Sequence, residues 1–547
     1  MKKNNAFRRA AALIAALSIT VSLAAPAFAD TYYIDYGDIT ITKNEDGSQT
    51  IEQGGDKWTD KAGEETVITT SNTVITTLES DLEGPAAEDS DFGPVVEDNY
   101  QSAQPESTEE SEDADQPEIA EEPKSADRQE SADQQAVPVA APAGATPVNK
   151  KDDGFWGNTI TVINNIADKV LNLTLKDVKI DVSDTGDQYD WDQKGKAALS
   201  VQGKGNVEIE LDGDNELKSG TQSAGLEKNS TGTLTLKDDN KEAGSLTATG
   251  GFNSAGIGGG YLGDGKNITI TGGTVTATGG SSGAGIGGGR EGKGENITIT
   301  GGTVNATGNE DGAGIGGGSS GSGENITIND GKVTATGGSY AAGIGGGSVG
   351  AWGGDGGSGK NITITGGTVN ATGTDGGAGI GGGENGNGED ITINGGKVNA
   401  SGAYGGAGIG GGVNGIGSKV TVSGAAQVTA TATGSGPDWS GVGTGATIGN
   451  GGSKTPDGPV DGKEIQADIS HLTTGYIHHI IYNPDLDLDG KPDGILKEWW
   501  EFALPKPIPD GESLDLHVET LKGAPLLFNT RQQGSTLRVT TDNLSAR

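Results

Sequence analysis

The sequence predicts an all-β fold, a parallel β-helix in which 29-residue coils stack on one another. The hexapeptide Ala-Gly-Ile-Gly-Gly-Gly begins at six alanines, spaced by 29, 29, 29, 36 and 29 residues: Ala255, Ala284, Ala313, Ala342, Ala378 and Ala407. Alternating blocks such as Ile268-Thr-Ile-Thr271 recur with the same period. Gly supplies 100 of 547 residues, as expected of a chain that turns sharply in every coil. Cys is absent, so no disulfide contributes to stability. A fixed period of this length is typical of stacked repeats.

Within one repeat, the alternation assigns an inner and an outer face to each strand. In Ile268-Thr-Ile-Thr271 both Ile point to one side, and in Thr274-Val-Thr-Ala-Thr278 the Val and Ala oppose the Thr. Stacking buries these apolar side chains, each Ile contributing about 1.5–3 kcal/mol. The glycine-rich hexapeptide predicts a thin, tightly packed face with one inward Ile. A geometry with two narrow coils per 29 residues stays open, although the two halves of the repeat are unlike.

The segments before the repeats have different compositions. Residues 1–29 predict a secretory signal peptide, with a basic start, a short apolar stretch and the cleavage motif Ala27-Phe28-Ala29. Residues 30–80 contain short alternating runs that predict strands. Residues 81–150 hold 8 of the 18 Pro, and 19 acidic residues lie between Asp81 and Asp133. This composition predicts a disordered acidic linker.

The remaining chain divides into four parts. Residues 151–254 carry related but irregular strand sequences and predict degenerate coils that begin and cap the stack. Residues 255–434 hold the regular repeats, and residues 435–460 are Gly- and Pro-rich and predict a loop. Residues 461–547 differ in composition and predict a C-terminal module, β-rich and with a calcium loop, that contains all four His. Because open ends of a parallel stack are prone to aggregate, we expect caps from residues 160–254 and from the C-terminal region.

The repeat blocks resemble those of a known family. Ala-Gly-Ile-Gly-Gly-Gly paired with Asn-Ile-Thr-Ile-Thr-Gly-Gly-Thr-Val-Thr-Ala-Thr-Gly is similar to secreted repeat proteins of anaerobic gut Gram-positive bacteria. Lys196-Ala-Ala-Leu-Ser-Val-Gln-Gly203 and Ala224-Gly-Leu-Glu-Lys-Asn229 resemble the same proteins. The resemblance covers residues 160–450 and extends to residues 31–55. It implies a right-handed, pectin-lyase-like parallel β-helix, export from the cell and carbohydrate binding.

The charge of the chain restricts its partners. The formal net charge is −39, which argues against nucleic acid and anionic membranes because both are polyanions. After the signal peptide, no stretch is long and apolar enough to cross a bilayer. We therefore expect a secreted, extracellular protein without a transmembrane segment in the mature chain, either soluble or associated with the cell surface.

Two motifs suggest bound cofactors. Gly283-Ala-Gly-Ile-Gly-Gly288 matches the dinucleotide pattern, but no helix is predicted after it, so the nucleotide interpretation fails. The stretch Asp485-Leu-Asp-Leu-Asp-Gly490-Lys-Pro-Asp493 places oxygens at positions 1, 3, 5 and 9 of a calcium loop. Leu496 stands at position 12, where a closing carboxylate is expected. We keep a Ca²⁺ site at Asp485, Asp487, Asp489 and Asp493 as a hypothesis, beside an acidic turn without a ligand.

The aromatic residues that break the repeat are the candidate carbohydrate site. Phe252, Tyr340 and Tyr404 lie two or three residues before an Ala-Gly-Ile block, and Trp352 lies in the seven-residue insertion of the 36-residue repeat. Aromatic faces beside polar side chains suit the faces and hydroxyls of a sugar. The outward Thr and Asn rows supply hydrogen-bonding groups, although such residues are also ordinary on a solvent-facing strand.

The sequence favours a secreted, non-catalytic carbohydrate-binding or adhesin-like protein whose partner is a polysaccharide or cell-surface glycan. One alternative is a structural cell-surface spacer. Another is a polysaccharide lyase or glycoside hydrolase of the β-helix type. The regular coils hold one Arg, Arg290, and no His, which disfavours catalysis. The doublet Asp238-Asp239 in the upstream coils predicts a turn rather than a catalytic pair.

Overall fold

The computed structural model describes residues 30–70, 146–151, 153–190, 192–349, 355–434, 441–484, 493–504, 506–509 and 527–542. These residues belong to one compact unit, Met1–Ser71 with Ala136–Arg547. The predicted signal peptide and residues 81–145 of the predicted linker lie outside the described residues. Within those residues, no helix is long and apolar enough to span a membrane.

The described residues before the regular repeats form thirteen strands and one short 3-10 turn. The strands are β1 (Asp30–Tyr33), β2 (Ile39–Lys43), β3 (Gln49–Gln53), β4 (Asp56–Asp60), β5 (Thr66–Thr69), β6 (Ile160–Asn164), β7 (Val170–Lys176), β8 (Lys179–Asp181), β9 (Leu199–Gly203), β10 (Asn206–Lys218), β11 (Leu226–Lys228), β12 (Leu234–Lys237) and β13 (Gly244–Thr249). The 3-10 turn covers Ile34–Tyr36.

The regular repeats contribute three strands each. They are β14 (Ile257–Gly258), β15 (Gly265–Ile270), β16 (Thr274–Thr278), β17 (Ile286–Gly287), β18 (Gly294–Ile299), β19 (Thr303–Thr307), β20 (Ile315–Gly316), β21 (Gly323–Ile328), β22 (Lys332–Thr336), β23 (Ile344–Gly345), β24 (Gly359–Ile364), β25 (Thr368–Thr372), β26 (Ile380–Gly381), β27 (Gly388–Ile393), β28 (Lys397–Ser401), β29 (Ile409–Gly410), β30 (Gly417–Val422) and β31 (Gln427–Thr433).

The C-terminal part is also built from strands. They are β32 (Ile448–Gly449), β33 (Ser453–Thr455), β34 (Gly458–Val460), β35 (Tyr476–Tyr482), β36 (Ile495–Ala503), β37 (Leu527–Gln533) and β38 (Thr536–Asp542). The structure thus places β32, β33 and β34 inside the segment 435–460 that the sequence predicted to be a loop. The segment that contains β32, Ala446-Thr-Ile-Gly449, has Thr where the repeat has its first Gly, so the hexapeptide motif is interrupted there.

The strands form three parallel ladders, here called sheets A, B and C. Sheet A contains β15 and its equivalents, sheet C contains β16 and its equivalents, and sheet B contains the two-residue strands such as β14. Ile268 pairs with Ile297 in sheet A, Val275 with Val304 in sheet C, and Ile257 with Ile286 in sheet B. Each of these pairings joins residues one repeat apart. One repeat is therefore one coil, and the geometry with two narrow coils per repeat is wrong.

The core is a column of the side chains that the alternation assigned to the inside. Ile257, Ile268, Ile270, Val275 and Ala277 are each 0 % exposed. The equivalent residues of the other coils continue the same column through the stack. The predicted parallel β-helix, with its inward Ile, Val and Ala, is confirmed. Because each coil covers the next, the same few side chains are buried repeatedly and a low apolar content suffices.

A ladder of asparagines accompanies sheet A. Asn267, Asn296, Asn325 and Asn361 have positive φ, between 52° and 56°, and the sheet pairing skips Asn267 and its equivalents. Each thus bends the chain within sheet A without changing the register, because both paired strands carry it. Asn tolerates this left-handed conformation better than most residues. Side-chain amides join successive rungs at 3.0–3.2 Å, so the same residues also link the coils.

One glycine column in sheet B requires the absence of a side chain. Gly316 has φ of 139°, and a Cβ there would lie 1.9 Å from the carbonyl oxygen of Gly345 in the next coil. Gly287 and Gly381 repeat this conformation, with Cβ positions 1.9 Å from the carbonyl of the following coil. Neither the backbone angle nor the space accepts another residue. The spacing of sheet B therefore depends on these glycines.

Strands β1 to β5 cap the N-terminal end of the stack. The prediction that residues 160–254 form this cap is therefore wrong. Strand β5 pairs in parallel with β7, and β1 pairs with β5. Strand β2 pairs in parallel with β6, while β3 and β4 add antiparallel strands beyond it. Residues 30–69 thus lie over residues 160–176. Sequence alone did not reveal this because a long segment separates the two pairing partners.

The C-terminal region completes a further coil and then reverses direction. Asp468 bridges Thr421 and Leu472 bridges Gly424 in parallel, and β35 pairs in parallel with β31. Strand β36 then pairs antiparallel with β35, and β38 and β37 follow antiparallel. The parallel stack therefore ends in antiparallel strands that belong to the same sheet.

Candidate functional site

The short strands of sheet B bring two turns of the chain together. We call the turn from sheet C to sheet B turn 1, and the turn from sheet B to sheet A turn 2. Because sheet B has only two residues per coil, the third residue of turn 2 donates its backbone N–H to turn 1 of the preceding coil. Six such bonds, 2.7–3.1 Å long, run from Tyr261, Arg290, Ser319, Ser348, Glu384 and Val413 to Gln222, Asn253, Ser282, Asp311, Tyr340 and Gly376, respectively.

These bonds make one continuous surface of the two turns, which we call the turn edge. It carries aromatic, acidic and basic side chains from successive coils: Phe252, Tyr261, Arg290, Glu310, Asp311, Tyr340, Asp375, Glu384 and Tyr404. Neighbouring coils lie about 4.8 Å apart, as parallel strands do. Side chains at equivalent turn positions therefore repeat along a straight line with this spacing.

The structure places three of the four predicted sugar-binding residues on the turn edge. Phe252, Tyr340 and Tyr404 all belong to turn 1 and are half-buried. Phe252 and Tyr404 occupy the same position five coils apart, which separates them by about 24 Å, with Tyr340 between them. The three rings thus share an edge but form no common cluster. A ligand that contacts all of them has to be an extended chain.

The fourth predicted residue, Trp352, lies outside the described residues. Its segment departs from turn 2 at Ser348, whose N–H donates to Asp311 of turn 1 at 2.7 Å. It returns at Gly357, whose N–H donates to the carbonyl of Gly347 at 2.8 Å. The flanks of the insertion therefore belong to the turn edge, next to Asp311.

Five residues of the turn edge were not predicted from the sequence: Tyr261, Glu310, Asp311, Asp375 and Glu384. Tyr261 and Glu384 occupy equivalent positions, directly after the Gly-Gly-Gly of their repeats. Asp311 lies in turn 1, one coil before Tyr340. The sequence shows each of these breaks in the repeat, but only the hydrogen bonds between turns 1 and 2 show that they share a surface.

The backbone of turn 1 holds its aromatic residues in an unusual conformation. Tyr340 has φ of 65° and Tyr404 has φ of 44°, in the left-handed region that residues other than Gly seldom adopt. The carbonyl of Tyr340 accepts the N–H of Glu384 at 2.8 Å. Such positions often coincide with functional sites, where the surrounding structure fixes a conformation of higher energy. Tyr340 is thus presented by a backbone anchored to the next coil.

The middle of the turn edge is acidic. Burial raises the pKa of Asp311, and the nearby Glu310 adds to the shift, while Arg290 opposes it. Burial likewise raises the pKa of Glu384, with a smaller contribution from Asp311. Tyr340 lies among these carboxylates, so burial, Asp375, Glu384 and Asp311 all raise its pKa. This surface offers hydrogen-bond acceptors and aromatic rings, and it repels anions.

The Asp238-Asp239 doublet forms a turn, as predicted. Asp238 Oδ2 accepts the N–H of Gly244 at 3.2 Å, and the N–H of Asp239 donates to Glu210 Oε1 at 3.0 Å. Glu210 is buried beneath this turn, and burial together with Asp239 raises its pKa to about 7. Because the turn covers the Glu210 carboxyl, both aspartates are explained by local structure.

The predicted calcium loop connects two antiparallel strands, β35 and β36. Asp485, Asp487 and Asp489 lie outside the described residues, whereas Asp493 is described. The N–H of Asn483 donates to the carbonyl of Gly494 at 2.9 Å and closes the base of the loop. Among the described residues alone, no group of three or more His, Cys, Asp or Glu side chains could hold a metal ion. The Ca²⁺ site stays a prediction.

Comparison with known proteins identifies the repeat. A family model described as a β-helix repeat matches residues 242–261, 268–290, 297–319, 326–348, 362–384 and 391–413. The matched blocks coincide with the regular coils and end in or near turn 2. No curated protein and no solved structure matches the chain significantly. The comparison thus agrees with the fold and names no ligand.

Proposed function

We propose that this protein is secreted and binds a carbohydrate chain along the turn edge without catalysing its cleavage. The observation that carries the proposal is the row of hydrogen bonds that joins turns 1 and 2 over six coils. This row holds aromatic and acidic side chains on one straight surface. Such a surface matches an extended ligand better than a compact one.

The chemistry of the edge favours a ligand rich in hydroxyl groups. Half-buried rings such as Phe252, Tyr340 and Tyr404 offer apolar faces, on which the C–H face of a sugar packs well. Between the rings, Asp311 and Glu384 offer carboxyl groups that exchange hydrogen bonds with hydroxyls. Because the middle of the edge is acidic, we expect it to prefer an uncharged stretch of glycan.

A glycan array with the secreted protein tests the proposal. We expect neutral polysaccharide hits that the combined substitutions Phe252→Ala, Tyr340→Ala and Tyr404→Ala weaken at least tenfold. Phe502→Ala removes a half-buried aromatic ring of β36, outside turns 1 and 2, and should leave the hits unchanged. An array without hits, or hits that the triple variant retains, would favour a structural spacer.

Secretion has a separate test. The predicted cleavage site Ala27-Phe28-Ala29 places the first residue of the mature chain at Asp30. Expression in a Gram-positive host followed by mass spectrometry of the culture medium should yield a chain that begins at Asp30. Retention of the full-length chain inside the cells would contradict this part of the proposal.

A further inference from the structure

A cleft lies at the N-terminal end of the stack, outside the regular repeats. Its volume is about 430 Å³, and its walls are formed by Asn149, Lys150, Lys151, Gly157, Val182, Asp184, Thr185 and Lys196. Ligand pockets of proteins span about 300–1,000 Å³, so the cleft is large enough for a small ligand or a sugar unit of a chain.

Backbone hydrogen bonds hold the first wall of the cleft. The N–H of Gly157 donates to the carbonyl of Asn149, and that of Lys151 donates to Phe155, both at 2.8 Å. Asn149 has φ of 58°, and its side-chain amide donates to Asn158 Oδ1 at 2.6 Å. Lys150 Nζ lies 5.9 Å from the centre of the Trp156 ring. This wall is therefore preformed.

The opposite wall belongs to turn 1 of an early coil. Residues 182–198 connect β8 of sheet C to β9 of sheet B, as the shorter turns do in the regular coils. Thr185 accepts the N–H of Lys196 on its side chain at 2.8 Å, and its carbonyl accepts the N–H of Thr221 at 3.1 Å. The N–H of Gln222 then donates to the carbonyl of Phe252 at 3.0 Å. The cleft is thus continuous with the turn edge.

The charge of the cleft is opposite to that of the whole chain. Its walls hold three lysines against one aspartate, whereas the protein has a formal net charge of −39. Lys151 Nζ contacts Asp184 Oδ1 at 2.8 Å. This contact holds the pKa of Asp184 below its ordinary value, and the charge of Lys196 acts in the same direction. Lys150 and Lys196 are both exposed and can approach a second anion.

The side chains around the lysines suit a sugar that carries a negative charge. Asn149 and Thr185 provide polar groups, and the lysine stems provide apolar surface. Tyr189, which is 86 % exposed, projects from the same long turn as Asp184, Thr185 and Lys196. A polyanion such as nucleic acid presents charge over its whole length and would be repelled by the rest of the chain.

We infer that this cleft binds an acidic sugar, a uronate unit whose carboxylate lies between Lys150 and Lys196. The inference rests on the proposed function in one respect only, namely that the ligand is a carbohydrate. The turn edge takes the neutral part of a glycan, and the cleft takes a charged unit at one end of it. A glycan with scattered uronates would satisfy both surfaces at once.

Calorimetric titration of the whole secreted protein with trigalacturonate tests the inference. The matched control ligand is the fully methyl-esterified trisaccharide, which has the same shape without the charges. We expect Lys150→Gln with Lys196→Gln to weaken trigalacturonate binding about tenfold or more, because charge-assisted contacts are lost. Lys332→Gln with Lys397→Gln, two exposed lysines of sheet C, should leave the affinity unchanged.

Several results would overturn the inference. The methyl ester could bind as tightly as trigalacturonate. The Lys332→Gln/Lys397→Gln variant could lose as much affinity as the Lys150→Gln/Lys196→Gln variant. A sulfated trisaccharide could bind more tightly than trigalacturonate. The two proposals also fail separately. Binding of trigalacturonate that survives the Phe252→Ala, Tyr340→Ala and Tyr404→Ala variant supports the cleft even if the array shows no neutral ligand.

Discussion

Asn325 donates its side-chain amide to Oδ1 of Asn296 in the preceding coil at 3.2 Å. Its own Oδ1 accepts the amide of Asn361 in the following coil at 3.1 Å. Each of the three residues adopts a positive φ. The same side chain therefore satisfies two requirements, the bend of the chain and the connection between coils.

Asn325→Ala should destabilise the β-helix by about 2 kcal/mol. Two exposed hydrogen bonds contribute about 0.5–1.5 kcal/mol each, and Ala in a left-handed conformation costs about 1 kcal/mol more. Asn325→Gly removes the same hydrogen bonds without the backbone cost and should therefore be the milder change. Urea unfolding followed by circular dichroism measures both. Equal midpoints for the wild type and Asn325→Ala would show that the ladder contributes nothing.

Gly316→Ala should be far more harmful than Gly458→Ala. Both glycines have strongly positive φ, 139° and 122°, so a left-handed cost of about 1–3 kcal/mol applies to each. A Cβ at Gly316 would lie 1.9 Å from a backbone oxygen, whereas at Gly458 the described residues leave open space within 4 Å. Because both variants carry the same backbone cost, the difference between their stabilities measures the cost of the contact between coils of sheet B.

Thermal unfolding and limited proteolysis of the two glycine variants provide the measurement. We expect Gly316→Ala to lower the melting temperature strongly and to expose the central coils to protease, while Gly458→Ala shifts the melting temperature by a few degrees. Similar shifts for the two variants would mean that the ladder of sheet B relaxes around the added methyl group.

The repeat made much of the fold predictable, because each coil contacts its own copies. The inward positions of Ile268 and Val275 follow from alternation alone, and the structure confirms them. The position of residues 30–69 in the stack could not be predicted, because a long segment separates β5 from its partner β7 and leaves no local sequence signal for their pairing. Strand β32 of sheet B was not predicted, because Thr447 replaces one glycine of the motif.

The candidate site was less predictable than the fold. Tyr340 was visible as a break in the repeat, but its neighbour Glu384 lies more than one repeat later in the sequence. Their contact depends on the shortness of sheet B, which lets turns 1 and 2 meet. The stacking of His479 on Trp499 likewise depends on the register of β35 with β36, which is set by long-range pairing.

The C-terminal strands should lose stability as the pH falls. His479 is buried, its ring lies 4.4 Å from that of Trp499 and nearly parallel to it, and its Nδ1 lies 2.6 Å from Thr447 Oγ1. Burial lowers its pKa well below 6.5, and the charges of Arg538, His478 and Lys497 act in the same direction. Between the folded and unfolded pKa values, the unfolded state binds more protons, so stability falls below about pH 6.5.

Urea unfolding by tryptophan fluorescence at pH 7.5 and 5.5 measures this effect. The wild type should lose up to about 1.4 kcal/mol per pH unit below pH 6.5, and His479→Gln should lack this slope although it is less stable throughout. Burial raises the pKa of Glu464. The contribution of this carboxyl to stability therefore falls as the pH rises, which is opposite to the contribution of His479. The difference between the two proteins isolates His479, and identical slopes would contradict the prediction.

The predicted calcium loop should bind Ca²⁺ weakly, and one substitution should strengthen it. Leu496, at position 12 of the loop, is 54 % exposed. It has no partner opposite it, because Ile481 pairs with Lys497 and Tyr482 with Ile495. A bulge of this kind redirects its side chain relative to the regular strand. Leu496→Glu would supply the carboxylate that a calcium loop normally places at position 12.

Calorimetry with Ca²⁺ on the whole chain measures the effect, because residues 464–482 complete a coil and β35 to β38 continue sheet C of the stack. We expect millimolar affinity for the wild type, at least tenfold tighter binding for Leu496→Glu, and no gain for Leu496→Gln, which has similar size but no charge. Asp487→Asn with Asp489→Asn should abolish the heat in both backgrounds, since two of the oxygen ligands lose their charge. If neither the wild type nor Leu496→Glu releases heat, Asp485–Asp493 is an acidic turn without a metal.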